Sequence, residues 1–106
     1  MAVDFEAVTH LCKRYAEDVR RKMPVDKVML FGSYAKGTAD ELSDIDICFF
    51  LNSYGGKRRM DILKDLLVLM RGYKGAYFEP IVFETSELEN DNPFVKEILR
   101  TGKEIL

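Results

Sequence analysis

The stretch LFGSYAKGTADELSDIDICFF, residues 30–50, decides the reading of this chain. The apolar run Val28, Met29, Leu30 and Phe31 leads into it as the end of a buried strand, and Gly32-Ser33 interrupts that run at once. The polar segment that follows predicts a short helix over residues 33–36. Ten residues separate Ser33 from Asp44, and Asp44-Ile45-Asp46 opens a second strand-like run, expected over residues 45–51. Successive strand side chains point to opposite faces, so Asp44 and Asp46 share one. Their Cα atoms should lie roughly 6.5 Å apart. Two carboxylates at that spacing can grip one or two hard cations. Magnesium suits them, because it takes only one or two protein carboxylates and fills its shell with water and phosphate oxygens. Glycine at position 32 lets a phosphate approach the backbone closely. A serine at a helix start offers a hydroxyl and exposed N–H groups to an anion. These residues predict a metal and nucleotide site, with Asp44 and Asp46 as ligands and Gly32 and Ser33 as phosphate cradle. Lys36 could reach a triphosphate oxygen, although a surface lysine fits the position equally well.

Each half is weak alone. An isolated Asp-x-Asp at a strand start is ordinarily a solvated strand end, and a lone Gly-Ser is ordinarily a turn. Placement separates the readings, because the two acids alternate with Ile45 and Ile47 in an otherwise apolar run. Like charges on one strand face repel, and burying them unpaired is costly. A bound cation would offset both terms.

The run GSYAKGTADELSDIDICFF resembles the signature of the nucleotidyltransferase superfamily that includes the polymerase beta type palm. Gly-Ser, ten residues, then Asp-x-Asp is that pattern, matched here without a gap. The short chain resembles the minimal nucleotidyltransferase (MNT) domains, and the ending NPFVKEILRTGKEIL is similar to theirs. The resemblance implies an α/β fold with a small mixed sheet and helices packed mainly on one face. It implies transfer of a nucleoside monophosphate, AMP from ATP, to an acceptor hydroxyl with two magnesium ions. Asp44 and Asp46 would be catalytic as well as metal-binding. A third acid would stand on a neighbouring strand, and Glu79 is placed for it, either as a ligand to the second ion or as acceptor of the attacking hydroxyl's proton. Relatives usually carry Asp there, and Pro80 is outside the pattern. By the same resemblance, domains of this kind pair with a helical HEPN protein in toxin–antitoxin systems. They neutralise an RNA-cleaving toxin by direct binding or by adding AMP to a tyrosine. The competing reading is a non-catalytic binding module that keeps the fold and blocks its partner sterically. A small-molecule acceptor such as an aminoglycoside is less compatible with the short chain.

Composition agrees with one soluble, cytoplasmic domain spanning residues 1–106. The chain is 47% apolar and 32% charged, with a net charge of −2. That balance argues against an extended nucleic-acid grip, which needs a basic surface. Cys12 and Cys48 are too few for a disulfide framework or zinc cluster and are expected as reduced, buried thiols. The start MAVDFEAV has no basic region followed by an apolar stretch, so no signal peptide is expected. No run reaches membrane-spanning length. The residues after Asp46 hold no obvious second domain to close over a base or an acceptor. Specificity is therefore expected from a partner or a second copy.

The flanking segments read as supports. Residues 4–22 predict an amphipathic helix with the stripe Phe5, Val8, Cys12, Tyr15 and Val19, capped by Asp4 and stopped by Pro24. His10 lies off the stripe. Residues 25–31 are the first strand. On the second, Asp44, Asp46, Cys48 and Phe50 are expected on a face open to ligand, and Ile45, Ile47, Phe49 and Leu51 against helices. A helix is expected from Lys57 to about Arg71 with Leu63, Leu66, Leu67 and Met70 buried. Its opening triplet Lys57-Arg58-Arg59 is unfavourable against the helix dipole, which suggests either a phosphate or acidic partner or simple solvation. Residues 76–83 form the third strand, with Tyr77, Glu79 and Ile81 on one face, and Pro80 favours an edge. Asn92-Pro93 starts a last helix, ended by Gly102, with Phe94, Ile98 and Leu99 as its apolar face. Residues 103–106 are expected to add a short strand. Residues 37–43 and 72–75 read as loops.

Overall fold

The computed structural model describes residues 4–40, 43–73 and 76–106. The expected loops at 37–43 and 72–75 therefore fall partly outside the described residues, at Glu41, Leu42, Lys74 and Gly75. The elements are α1 (Phe5–Arg20), β1 (Val25–Phe31), α2 (Gly32–Lys36), β2 (Ile45–Leu51), α3 (Arg59–Met70), β3 (Phe78–Glu84), a 3-10 turn (Thr85–Leu88), α4 (Pro93–Thr101) and β4 (Lys103–Glu104). The strands make one mixed sheet in the order β3-β2-β1-β4. This is the α/β class expected.

β2 forms the centre because it can be buried on both faces. Ile47, Cys48, Phe49, Phe50 and Leu51 are all fully inaccessible. It pairs antiparallel with β1 and parallel with β3. A parallel pair needs a crossover, and α3 supplies it.

Ile45, Ile47, Phe49 and Leu51 pack against α1 and α3 together with Cys12, Tyr15, Val19, Ile62 and Leu66. Tyr15 is the pivot of this layer. Its ring meets Phe49 edge-on at 5.4 Å and Phe78 at 4.7 Å, and its hydroxyl donates to the Leu66 carbonyl at 2.6 Å. α1 begins where expected, since the Asp4 carboxylate accepts from the Ala7 N–H. Burying this layer is the main stabilising term, at about 1.5–3 kcal/mol for each large apolar side chain.

The opposite face departs from expectation. It is not open along its length, because α4 lies over part of it and buries Met29, Cys48 and Phe50 under Val95 and Ile98. α1 and α3 share the first face with Tyr34 of α2, and with α4 on the other face the ligand-accessible surface shrinks to the end of β2 that carries the acids.

Two helix faces also differ. On α3 the buried residues are Ile62 and Leu66, whereas Leu67 is 45% exposed. Residues 62, 63 and 66–70 are all apolar, so periodicity admits more than one stripe and docking against the sheet selects it. On α4 the buried residues are Val95 and Ile98, while Phe94 is 51% exposed and rests edge-on against Phe31 at 6.1 Å. The Asn92 cap holds, its side-chain oxygen accepting from Phe94 and Val95 N–H. Pro80 sits on an edge strand, as its missing donor requires. β4 pairs with the other side of β1.

Candidate active site

Strand register assembles the site. The β1–β2 pairing sets Phe31 opposite Asp46, and the β2–β3 pairing sets Glu79 on its other side. Paired residues on adjacent strands share a face, so Glu79 and Asp46 stand side by side. The register brings Glu79, the third acid the resemblance implied, to Asp46. Asp46 is half-buried, whereas Asp44 and Glu79 are exposed. Burial, the hydrogen bond and charge of Glu79, and the charge of Asp44 push the Asp46 carboxyl up to about 6.

Gly32 supplies the other wall. It has φ +70, and a Cβ built there would collide with Asp46 Oδ2 and lie 3.0 Å from its Cγ. The bend and the carboxylate are therefore in contact through bare backbone. α2 is only five residues long and has no side-chain cap. Its geometry comes from Gly37, at φ 76, whose N–H returns to the Ser33 carbonyl. The Thr38 N–H bonds the same carbonyl at 3.0 Å. Ser33 is half-buried, and Lys36 is exposed with no ion pair among the described residues.

The donor set is compatible with a hard cation of modest demands. Among the described residues no three His, Cys, Asp or Glu side chains already converge as a cage. Magnesium does not require one, since one or two carboxylates suffice. A carboxyl such as Asp46, whose proton is held more tightly by burial and by neighbouring carboxylates, is in the environment a cation relieves. Asp44 and Asp46, with Glu79 beside them, are the residues able to hold it.

Other residues flagged from sequence have plainer roles. Lys57 pairs with Asp65 at 3.0 Å, Arg58 with Asp61 at 3.9 Å, and the Arg59 guanidinium lies 4.9 Å over the Phe83 ring. Each residue of the basic triplet thus has a partner inside the molecule, so the dipole argument does not require an outside anion. Asp61 also accepts from the Arg58 N–H and caps α3. His10 is exposed on α1. Both cysteines are free and buried, with their thiols pushed up to about 12 by burial. A cleft of about 550 Å³ between Met23, Leu51, Tyr54, Ile62 and Leu69 lies at the other end of β2 from the acids. It has no part in the site described.

The pairing also brings Tyr77 to this surface. Strand alternation had put it on the Glu79 side, and just before β3 its carbonyl accepts from the Ile45 N–H at 2.7 Å.

With this geometry in hand, a model of the nucleotidyltransferase domain matches residues 12–99. The chain belongs to the nucleotidyltransferase domain family. It is 31% identical over 111 residues to a protein of Methanocaldococcus jannaschii named as a candidate protein adenylyltransferase, spanning 98% of this chain and 74% of that protein. Among solved structures, a candidate nucleotidyltransferase from Sulfolobus solfataricus aligns with TM-score 0.66 and 26% identity, over 80% of this chain and 74% of that one. A toxin–antitoxin structure with AMP-PNP aligns with TM-score 0.57 over 89% of this chain and 72% of that one, and its 18% identity speaks to the fold alone. No helix among the described residues of this nucleotidyltransferase domain is long and apolar enough to cross a membrane.

Proposed function

We propose that this domain transfers AMP from ATP to a hydroxyl on a partner protein, with Asp44, Asp46 and Glu79 as its catalytic carboxylates. The observation that carries the reading is the contact between the Gly32 bend and Asp46, with Glu79 paired on the other side of that aspartate. It puts a bare-backbone bend on one flank of a carboxylate and a second carboxylate on the other. Gly32 and Ser33 would receive the pyrophosphate end of the nucleotide, and Lys36 would add charge there. Asp44 and Asp46 would hold magnesium, which neutralises the triphosphate and the leaving pyrophosphate when bound. Glu79, on the flank away from the bend, is placed to take the proton of the attacking hydroxyl. Attacking and leaving oxygens must lie roughly in line across the transferred phosphorus, and the bend and Glu79 bracket Asp46 in that sense.

A protein acceptor is supported by the Methanocaldococcus jannaschii relative, which is named for that reaction. A HEPN-type toxin as that acceptor follows from the MNT resemblance, and the likeness to a toxin–antitoxin structure is in keeping with it. The second reading is a module that keeps this fold and neutralises its partner by binding alone, and the partner assay separates the two.

The test is incubation of the protein and its co-purified partner with magnesium and labelled ATP, read by mass spectrometry for added AMP. Label on the partner that disappears in Asp44→Asn and Asp46→Asn establishes transfer. Full neutralisation of the partner by both variants, with no label at any time, establishes the binding module instead.

A further inference from the structure

α4 brings one half-open aromatic ring to the side of the carboxylate row. The strand pairings set Phe31, Asp46 and Glu79 in a line across β1, β2 and β3, on the face that α4 covers further along. Phe94, in the first turn of α4, is 51% exposed. Its ring meets Phe31 edge-on at 6.1 Å and Phe83 at 6.2 Å. Phe31 pairs with Asp46 from β1, whereas Phe83 pairs with Phe50 from β3. A ring that touches both lies across the intervening β2, on the α4 side of Asp46. Its N–H is held by the Asn92 side-chain oxygen at 3.0 Å. The phenyl surface left open to solvent is therefore fixed in place and has little entropy to lose on binding.

The direction of the reaction decides what that surface meets. In an in-line displacement the attacking and leaving oxygens stand on opposite sides of the phosphorus, and the remaining oxygens spread around its equator. The oxygen that carries the nucleoside is one of those equatorial groups. Here the axis runs across the strands, from Glu79 over Asp46 to the Gly32 bend. The nucleoside therefore leaves the axis sideways, along β2. Asp44 stands on one side and is assigned to the cation and the phosphate oxygens it holds. Phe94 stands on the other.

We infer that the exposed ring of Phe94 is the platform on which the nucleobase stacks. This rests on the nucleotide site proposed above and adds the element that site lacks, a contact for the base. Every base has a π-face, so stacking is blind to hydrogen-bond pattern. Phe94 therefore supplies affinity for nucleotides in general and leaves the choice among bases to other groups. Its phenyl ring has no proton to give or take and no part in bond making.

Calorimetric titration of the intact protein with magnesium and three ligands, ATP, GTP and inorganic tripolyphosphate, tests this. Phe94→Leu keeps an apolar side chain on α4 and removes only the ring, so it is the primary variant, with Phe94→Ala beside it. Both are expected to weaken ATP and GTP about ten-fold and to leave tripolyphosphate unchanged, while Phe94→Tyr binds all three as wild type does. Unchanged ATP affinity in the Leu and Ala variants overturns the platform and leaves the phosphate site standing. So does equal weakening of ATP and tripolyphosphate, which is the mark of a merely structural role. Failure of the wild-type protein to bind tripolyphosphate overturns the nucleotide site and this inference with it.

Discussion

The carboxylate of Asp46 occupies the space where residue 32 would carry a Cβ. Gly32 is needed twice over, for its φ of +70 and for that contact. Gly32→Ala is expected to cost about 2–4 kcal/mol, combining a left-handed backbone with overpacking, and to abolish transfer by displacing Asp46. Gly37 is the control, since it has φ +76 with nothing within 4 Å of a built Cβ. Gly37→Ala should cost about 1–2 kcal/mol and keep ATP binding. Urea unfolding and calorimetry check both, and equal behaviour of the two variants contradicts the contact.

Asp46 predicts a pH dependence. Its carboxyl rises from 3.8 to about 6 in the fold, so the native state holds the proton more tightly than the unfolded chain. The stabilisation from that proton is fully present below pH 3.8 and is lost as pH rises through about 6. Asn cannot titrate. In metal-free protein with chelator, Asp46→Asn should therefore be more stable than wild type at pH 8 by about 1 kcal/mol, after discounting for solvent screening of a half-exposed group. The advantage should vanish at pH 4. Urea midpoints at both pH values decide it, and an advantage that grows towards pH 4 has the wrong sign.

Glu79 is expected to act on chemistry more than on binding. Glu79→Gln should lower the transfer rate by about 10²–10⁴, the range for a lost general base, with ATP affinity altered far less. Single-turnover kinetics beside calorimetry separate the two. A rate within three-fold of wild type removes Glu79 from the reaction.

Tyr15 links α1, β2, β3 and α3 through its ring and its bond to the Leu66 carbonyl. Tyr15→Phe keeps the packing and loses one buried hydrogen bond, so about 1–2 kcal/mol is expected. Phe49→Ala empties the same layer and should cost about 3–5 kcal/mol. The order of the two unfolding midpoints is the check.

The Lys57 and Arg58 ion pairs are exposed on both sides. Lys57→Ala and Arg58→Ala should each change stability by less than about 1 kcal/mol and leave ATP affinity unchanged. A marked loss of nucleotide binding in either variant would return the basic triplet to the site.

Strands β1 and β2, the Asp4 and Asn92 caps and the grouping of Asp44 with Asp46 were legible from the residues, because period-two alternation and helix capping are local properties. Glu79 was legible as a strand carboxylate, and its role came from resemblance. The buried stripes of α3 and α4 were not legible, since neighbouring apolar residues such as Ile62 and Leu63, or Phe94 and Val95, satisfy the same helical period. Nor was the covering of Cys48 and Phe50 by α4, which local pattern cannot distinguish from exposure to ligand.

By itself, the order of residues determined which groups exist at the ends of which strands: a glycine bend after β1 and two carboxylates on one face at the start of β2. Only the tertiary structure decided that Asp46 stands between Gly32 and Glu79. Strand order and register depend on how distant segments pack, and a slip of one residue between β2 and β3 would turn Glu79 to the opposite face.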